Sequence, residues 1–204
     1  MVKVHPVVYM GRRRFAKFGG LDIALRVDNT AFICLKLEDG VLEQVGQRVW
    51  PHIDYSDIAR DMLKIQRHEK MAAIGYDRLG AGDGAKRLFS KEIPLRDIIS
   101  SLPNKQDMIA LVKGLFDSKK LIIKDMDLFR EILEQERYIS DAGNILYRHP
   151  VGFHDDRFWA LCYAAAVASR YIQGMPQPRI ALAPRQMNLE READLEIERN
   201  LEVI

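Results

Sequence analysis

The chain has only two cysteines among its 204 residues, Cys34 and Cys162, far apart and each inside an apolar segment. Such a pair supplies no disulfide framework and no zinc-ligand spacing, and it fits free buried thiols in a reducing compartment. No apolar run reaches the roughly 18 residues that a membrane-spanning helix needs, so no membrane is expected among the partners. The N-terminus lacks the apolar core and small-residue cleavage site of a secretory signal, so the sequence predicts no export and a cytoplasmic location. No internal repeat is visible. The phosphate-cradling pattern Gly-x-x-x-x-Gly-Lys-Ser/Thr is also missing. Gly80-Ala81-Gly82-Asp83-Gly84 has the glycines but no lysine, so no ATP-driven step is assigned to this chain.

What is present is ordinary for a globular protein: 48% apolar and 29% charged residues, enough length for one domain with a full core. The net charge of +2 conceals an asymmetry. Residues 1–18 hold Lys3, Arg12, Arg13, Arg14 and Lys17 with no acid, whereas residues 176–204 set four arginines against Glu190, Glu192, Asp194, Glu196, Glu198 and Glu202. The sequence therefore divides into a basic arm (1–18), a folded domain (19–175) and a charged tail (176–204) with too few apolar positions to bury. A basic arm beside an acidic site suits a polyanion-binding enzyme; the plainer reading is a solvated terminus.

Apolar runs Gly20–Leu25, Ala31–Leu37 and Val41–Val49, separated by Asp28-Asn29-Thr30 and Glu38-Asp39-Gly40, predict an antiparallel meander of three strands. Ser56 or Asp57 is placed to cap a helix carrying Ile58, Met62 and Ile65, followed by a buried strand, Met71–Asp77. A short helix at Ala85–Phe89, a strand at Ile93–Ile99, a helix at Lys105–Leu115 capped by Asn104, and a strand at Leu121–Ile123 come next. Asp125 or Asp127 opens a further helix, Tyr138–Tyr147 form a hairpin, and a last helix runs from Asp155 to about Ile172. This order predicts an α/β fold, a mixed sheet of meander followed by parallel strands, with helices on both faces. It is the order of the ribonuclease H-like fold, in which the first and fourth strands run side by side.

Against that frame the aspartates stand out. Asp22 follows Phe18-Gly19-Gly20-Leu21 in what reads as a core strand, Asp77 ends another, and Asp155-Asp156 open an apolar helix. Buried carboxylates are costly without a partner, and bound cations are the usual one. Hard cations such as magnesium or manganese take oxygen ligands, which an all-aspartate site supplies. Two such ions can activate an attacking water and stabilise a departing oxygen in phosphodiester hydrolysis. Asp22 is then the ligand shared by both ions, with Asp77 on one and Asp156 on the other. Asp155 is either a ligand or a group behind one.

Blander roles exist for each. Asp156 can cap its helix and Asp77 can be a strand-to-loop residue. His154 can orient a phosphate or water, act as a weak ligand, or satisfy a loop carbonyl. Asp28 and Asp83 lie beside the site in turn-rich loops that explain them equally well. Lys105 either reaches a phosphate or is a solvated helix start. The Trp159–Tyr163 stripe reads as core packing.

Gly20-Leu21-Asp22 with Asp28-Asn29-Thr30, Tyr76-Asp77-Arg78-Leu79-Gly80-Ala81-Gly82, Lys105 at a helix start, and His154-Asp155-Asp156 before Ala160-Leu161 occur in this order over residues 18–172. In these pieces the chain resembles the C-terminal nuclease domain of the large terminase subunit of tailed double-stranded DNA phages. The resemblance implies a metal-dependent endonuclease that cuts concatemeric double-stranded DNA during packaging. It implies two divalent cations, Mg2+ or Mn2+, held by Asp22, Asp77 and the Asp155-Asp156 pair. It further implies other packaging proteins as partners, together with an ATPase motor that is either a domain excised from this chain or a separate subunit. Arg12, Arg13, Arg14 and Lys105 are the expected DNA contacts. A Holliday-junction resolvase or ribonuclease H would share the site, and a catalytically inactive nucleic-acid-binding or assembly module would share the fold.

Overall fold

The computed structural model describes residues 15–24, 29–51, 54–79, 81–141, 143, 145–150 and 152–172, without the side chains of residues 81–83. Arg12, Arg13, Arg14, Asp28 and the tail at 176–204 lie outside the described residues. The meander is formed by β1 (Phe15–Asp22), β2 (Thr30–Glu38) and β3 (Val41–Trp50), and is followed by α1 (Tyr55–Glu69) and β4 (Ala73–Asp77). Then come α2 (Ala81–Lys86), β5 (Leu95–Ile98), α3 (Leu102–Asp117), β6 (Leu121–Ile122) and α4 (Met126–Leu133). The hairpin β7 (Glu136–Ile139) and β8 (Ile145–Arg148) precedes α5 (Asp156–Ala168), which ends in a 3-10 turn, Ser169–Tyr171.

Six strands form one sheet in the order β5-β4-β1-β2-β3-β6, and β7-β8 stand apart as a two-stranded ribbon. β1 pairs antiparallel with β2 and parallel with β4, so the expected neighbours one and four are adjacent. β2 is buried along almost its whole length because both faces are covered. Its alternate residues Ala31, Ile33, Leu35 and Leu37 join a core with α3, α4 and α5, while Phe32 and Cys34 join a second core under α1. That is the period-two division expected of a strand packed on both sides.

Several boundaries moved. β1 starts at Phe15 rather than near Gly20, and Asp22 is its last residue rather than a point inside it. Lys17 interrupts the apolar pattern there, and its ammonium pairs with Glu69 at the end of α1. The cap of α1 is Asp54, whose carboxylate accepts from the Ser56 N–H at 2.8 Å, so the cap lies upstream of both expected residues, Ser56 and Asp57. Similarly Ser101 precedes α3, and Asn104 instead donates to the Ile99 carbonyl at 2.7 Å. The short helix after β4 begins at Ala81, upstream of the expected Ala85, so Asp83 falls within it. Both cysteines are free and buried, and burial pushes the Cys34 thiol up to about 12.

Candidate active site

The register of β1 and β4 places two of the aspartates together. Phe18 stands opposite Ala73 and Leu21 opposite Tyr76, so one step further Asp22 and Asp77 end the two parallel strands side by side. Phe18 and Ala73 belong to the core under α5. Every second residue shares a face, so Gly20, Asp22, Gly75 and Asp77 point the same way. α5 lies directly on this face. A Cβ on Gly20 would fall well inside contact of the Ala160 carbonyl oxygen and the Ala164 nitrogen, and one on Gly75 would stand 2.7 Å from the Tyr163 carbonyl oxygen. The glycines are therefore the seat of the helix. Its alanine-rich turns, buried from Phe158 to Ala168, complete the fit.

Seated in this way, α5 carries its first turn over the C-terminal ends of β1 and β4. Asn29, just before β2, reaches Asp156 with Nδ2 to Oδ2 at 3.4 Å. The Asp22 carboxyl is pushed well above the ordinary carboxylate range, first by burial and then by the charges of Asp156, Asp155 and Asp77. Lys105 on α3 opposes this shift from the other direction. Its ammonium stands 4.5 Å from the centroid of the Trp159 ring. Asp77 at the end of β4 accepts the Leu79 N–H at 2.9 Å, which turns the chain out of the strand. His154 is exposed, with Nδ1 3.8 Å from Asp156 Oδ2.

Asp155 occupies the cap position of α5 yet makes no capping hydrogen bond. The capping is done by Glu131 of α4, a buried carboxylate that accepts the N–H groups of Arg157 at 2.9 Å and Phe158 at 3.1 Å. It also receives the Arg157 guanidinium at 2.5 Å. Burial nevertheless pushes the Glu131 carboxyl above its usual range. Asp155 is therefore not consumed by holding the helix end. The Asp155 carboxylate instead accepts the Trp159 Nε1–H at 3.0 Å. We expect Glu131→Gln to destabilise the fold by about 1–2 kcal/mol, because an amide nitrogen would replace one of two oxygens that each meet donors. An unchanged thermal midpoint would show that Glu131 does not hold α5.

Among the described residues no three His, Cys, Asp or Glu side chains are closed up to the spacing of a metal's ligand shell. The donor set nevertheless fits divalent cations. Asp22, Asp77, Asp155 and Asp156 present only hard oxygens, and their mutual repulsion is written in the raised Asp22 carboxyl. Like charges held apart in this way are what a cation draws together.

A family model described as the terminase RNaseH-like domain matches residues 19–167. The chain belongs to that family. Among solved structures, the large terminase nuclease of thermophilic phage G20c with bound magnesium superposes with a TM-score of 0.67 at 19% identity, over 76% of this chain and 82% of that one. The nuclease domain of the large terminase of bacteriophage SPP1 with bound manganese gives 0.55 at 14% identity, over 76% and 86%. The HK97 bacteriophage large terminase gives 0.58 at 17% identity, over 76% of this chain but 39% of that one. A search of curated proteins gave no match. The fold of this terminase domain is ribonuclease H-like, as its element order predicts.

Sequence reasoning assigned no polar role to three buried groups of these elements. Glu131 looks like a surface acid, although its spacing of three from Leu128 places it on the buried face of α4. Asp97 of β5 is buried and accepts from the Tyr76 hydroxyl and the Lys86 ammonium, both at 2.6 Å. It thereby ties α2 to the strand that ends in Asp77. Tyr163, whose hydroxyl lies 3.2 Å from Ser100 Oγ, is raised well above its ordinary range by burial, then by Asp22 and Asp77. No sequence signal marks Asp97 or Tyr163, because both depend on pairings between distant segments.

Proposed function

We propose that this domain is a metal-dependent endonuclease that hydrolyses phosphodiester bonds of double-stranded DNA, the cutting activity of a packaging terminase. The observation that carries the reading is the convergence of Asp22, Asp77 and Asp156 at one end of the sheet, with the Asp22 carboxyl raised by burial and by its acidic neighbours. Two cations, Mg2+ or Mn2+, would be held by Asp22 in common, by Asp77 on one side and by Asp156 on the other. Bound there, they supply water activation and charge relief on the leaving oxygen. Asp22 and Asp77 would hold the ions from strand ends, and α5 would bring in the third carboxylate. Lys105 and the arm residues Arg12, Arg13 and Arg14 contact DNA phosphates, and His154 borders the site. The partners are double-stranded DNA, an ATPase motor carried on the same or another chain, and other packaging proteins. Among the described residues no helix is long and apolar enough to cross a membrane.

The test is cleavage of supercoiled plasmid. Manganese should support nicking at least as well as magnesium, because it tolerates looser oxygen geometry, and calcium should support none. Equal cleavage in excess chelator would remove metal catalysis from the reading.

A further inference from the structure

Trp159 packs as a core aromatic on two sides, with its ring centroid 5.4 Å from that of Phe158 and 6.4 Å from that of Tyr163. Its polar edge is used differently. Nε1 donates to Asp155 Oδ2 at 3.0 Å, one turn back along α5. Its face carries the Lys105 ammonium, 4.5 Å from the ring centroid. One side chain thus joins an acid of the cluster to a cation that acts on Asp22.

The Asp155 carboxylate is available for this because Glu131 has taken over the helix end. His149 Nε2 stands 3.7 Å from its other oxygen. An oxygen committed to an indole N–H has a fixed orientation and a partly neutralised charge, as suits a group standing behind a ligand rather than the ligand itself. An ammonium on an aromatic face is likewise fixed in place and partly desolvated. There it relieves the repulsion among the aspartates.

We propose that Trp159 is a positioning residue of the acidic site: its indole N–H holds Asp155 behind the ligands, its face holds Lys105 near Asp22, and Asp156 is the α5 carboxylate that meets a cation. This rests on the metal-dependent reading above. The test is manganese binding by titration calorimetry on the whole chain, which needs no turnover. Asp156→Asn should weaken binding about 100-fold or more, whereas Asp155→Ala and Trp159→Phe should each weaken it roughly tenfold, the usual effect of a group behind a ligand. Because the two act as one unit, the double variant should bind no more weakly than Asp155→Ala alone. A role in packing alone would instead make the two losses multiply.

A second readout leaves Trp159 intact. Its Nε1–H proton resonance should move upfield in Asp155→Ala as the hydrogen bond is lost. Wild-type affinity in Trp159→Phe, multiplying losses, an unmoved resonance, or a greater loss from Asp155→Ala than from Asp156→Asn would each overturn the proposal. If the wild-type chain binds no manganese, the metal-dependent reading itself falls, and this one with it. Wild-type binding combined with an indifferent Trp159→Phe would leave the metal-dependent reading standing and remove only the role of Trp159.

Discussion

Asp22→Asn should reduce plasmid cleavage about a thousandfold or more and, in the same protein, make the metal-free fold more stable. The first effect follows from the proposed shared position of Asp22. One lost anionic oxygen weakens the hold on both cations, and several kcal/mol of charge stabilisation depend on them, at about 1.36 kcal/mol per tenfold in rate. The second follows from the raised Asp22 carboxyl, whose causes are burial first and then Asp156, Asp155 and Asp77. A carboxyl with a raised pKa in the folded state favours folding below its unfolded pKa, and that advantage is lost as pH rises through the folded value. Metal-free wild type should therefore lose stability as the pH climbs into the neutral range, and Asp22→Asn should not. At neutral pH a gain of 1 kcal/mol would appear as about 2–4 °C in the thermal midpoint of a domain of this size, shrinking toward acid. Excess manganese should raise the wild-type midpoint and leave the variant unmoved. Full cleavage by a folded Asp22→Asn chain would end the assignment. A variant less stable than wild type at neutral pH would show that Asp22 is held by a partner other than a cation.

The opposition expected between stability and activity at Asp22 also explains why this residue could be read from the sequence. A carboxylate closing an apolar strand violates the pattern around it, and such violations concentrate at functional sites. Asp77 and the Asp155-Asp156 pair were legible in the same way, and the order of strands and helices was enough to bring them to one end of the sheet. What was not legible lies in contacts between distant segments. Glu131 and Arg157 are 26 residues apart, and Tyr76 and Asp97 are 21 apart. A pattern read along one element does not show them. The start of β1 was hidden by Lys17, whose charge looks solvated until Glu69 of α1 is placed beside it. Trp159 left a trace that local reading could have used, since a spacing of four on a helix sets its indole over Asp155.

Gly20→Ala should do nearly as much damage as the loss of a site aspartate, although the residue carries no chemistry. A glycine pair in the middle of a central strand is a poor choice on β-propensity alone. Gly20 is explained by the α5 backbone, which approaches so closely that an added Cβ would fall well inside contact of the Ala160 carbonyl oxygen. The obstacle is backbone on both sides, so no side chain can turn aside to make room. Relief requires α5 to lift from β1 and carry Asp156 away from Asp22. Overpacking of this kind costs about 3 kcal/mol or more, the upper end of its usual range. That corresponds to roughly 6–12 °C in the thermal midpoint of a domain of this size. Cleavage should fall further than the loss of folded protein accounts for, since displacements of about 1 Å at a reacting centre cost on the order of a hundredfold. Gly46 is the control: an added Cβ there would meet only the Cys34 side chain at 3.6 Å, an ordinary contact, so Gly46→Ala should leave both midpoint and cleavage close to wild type. If Gly20→Ala matched that control, α5 would not be seated on β1, and the convergence of the aspartates would need another cause.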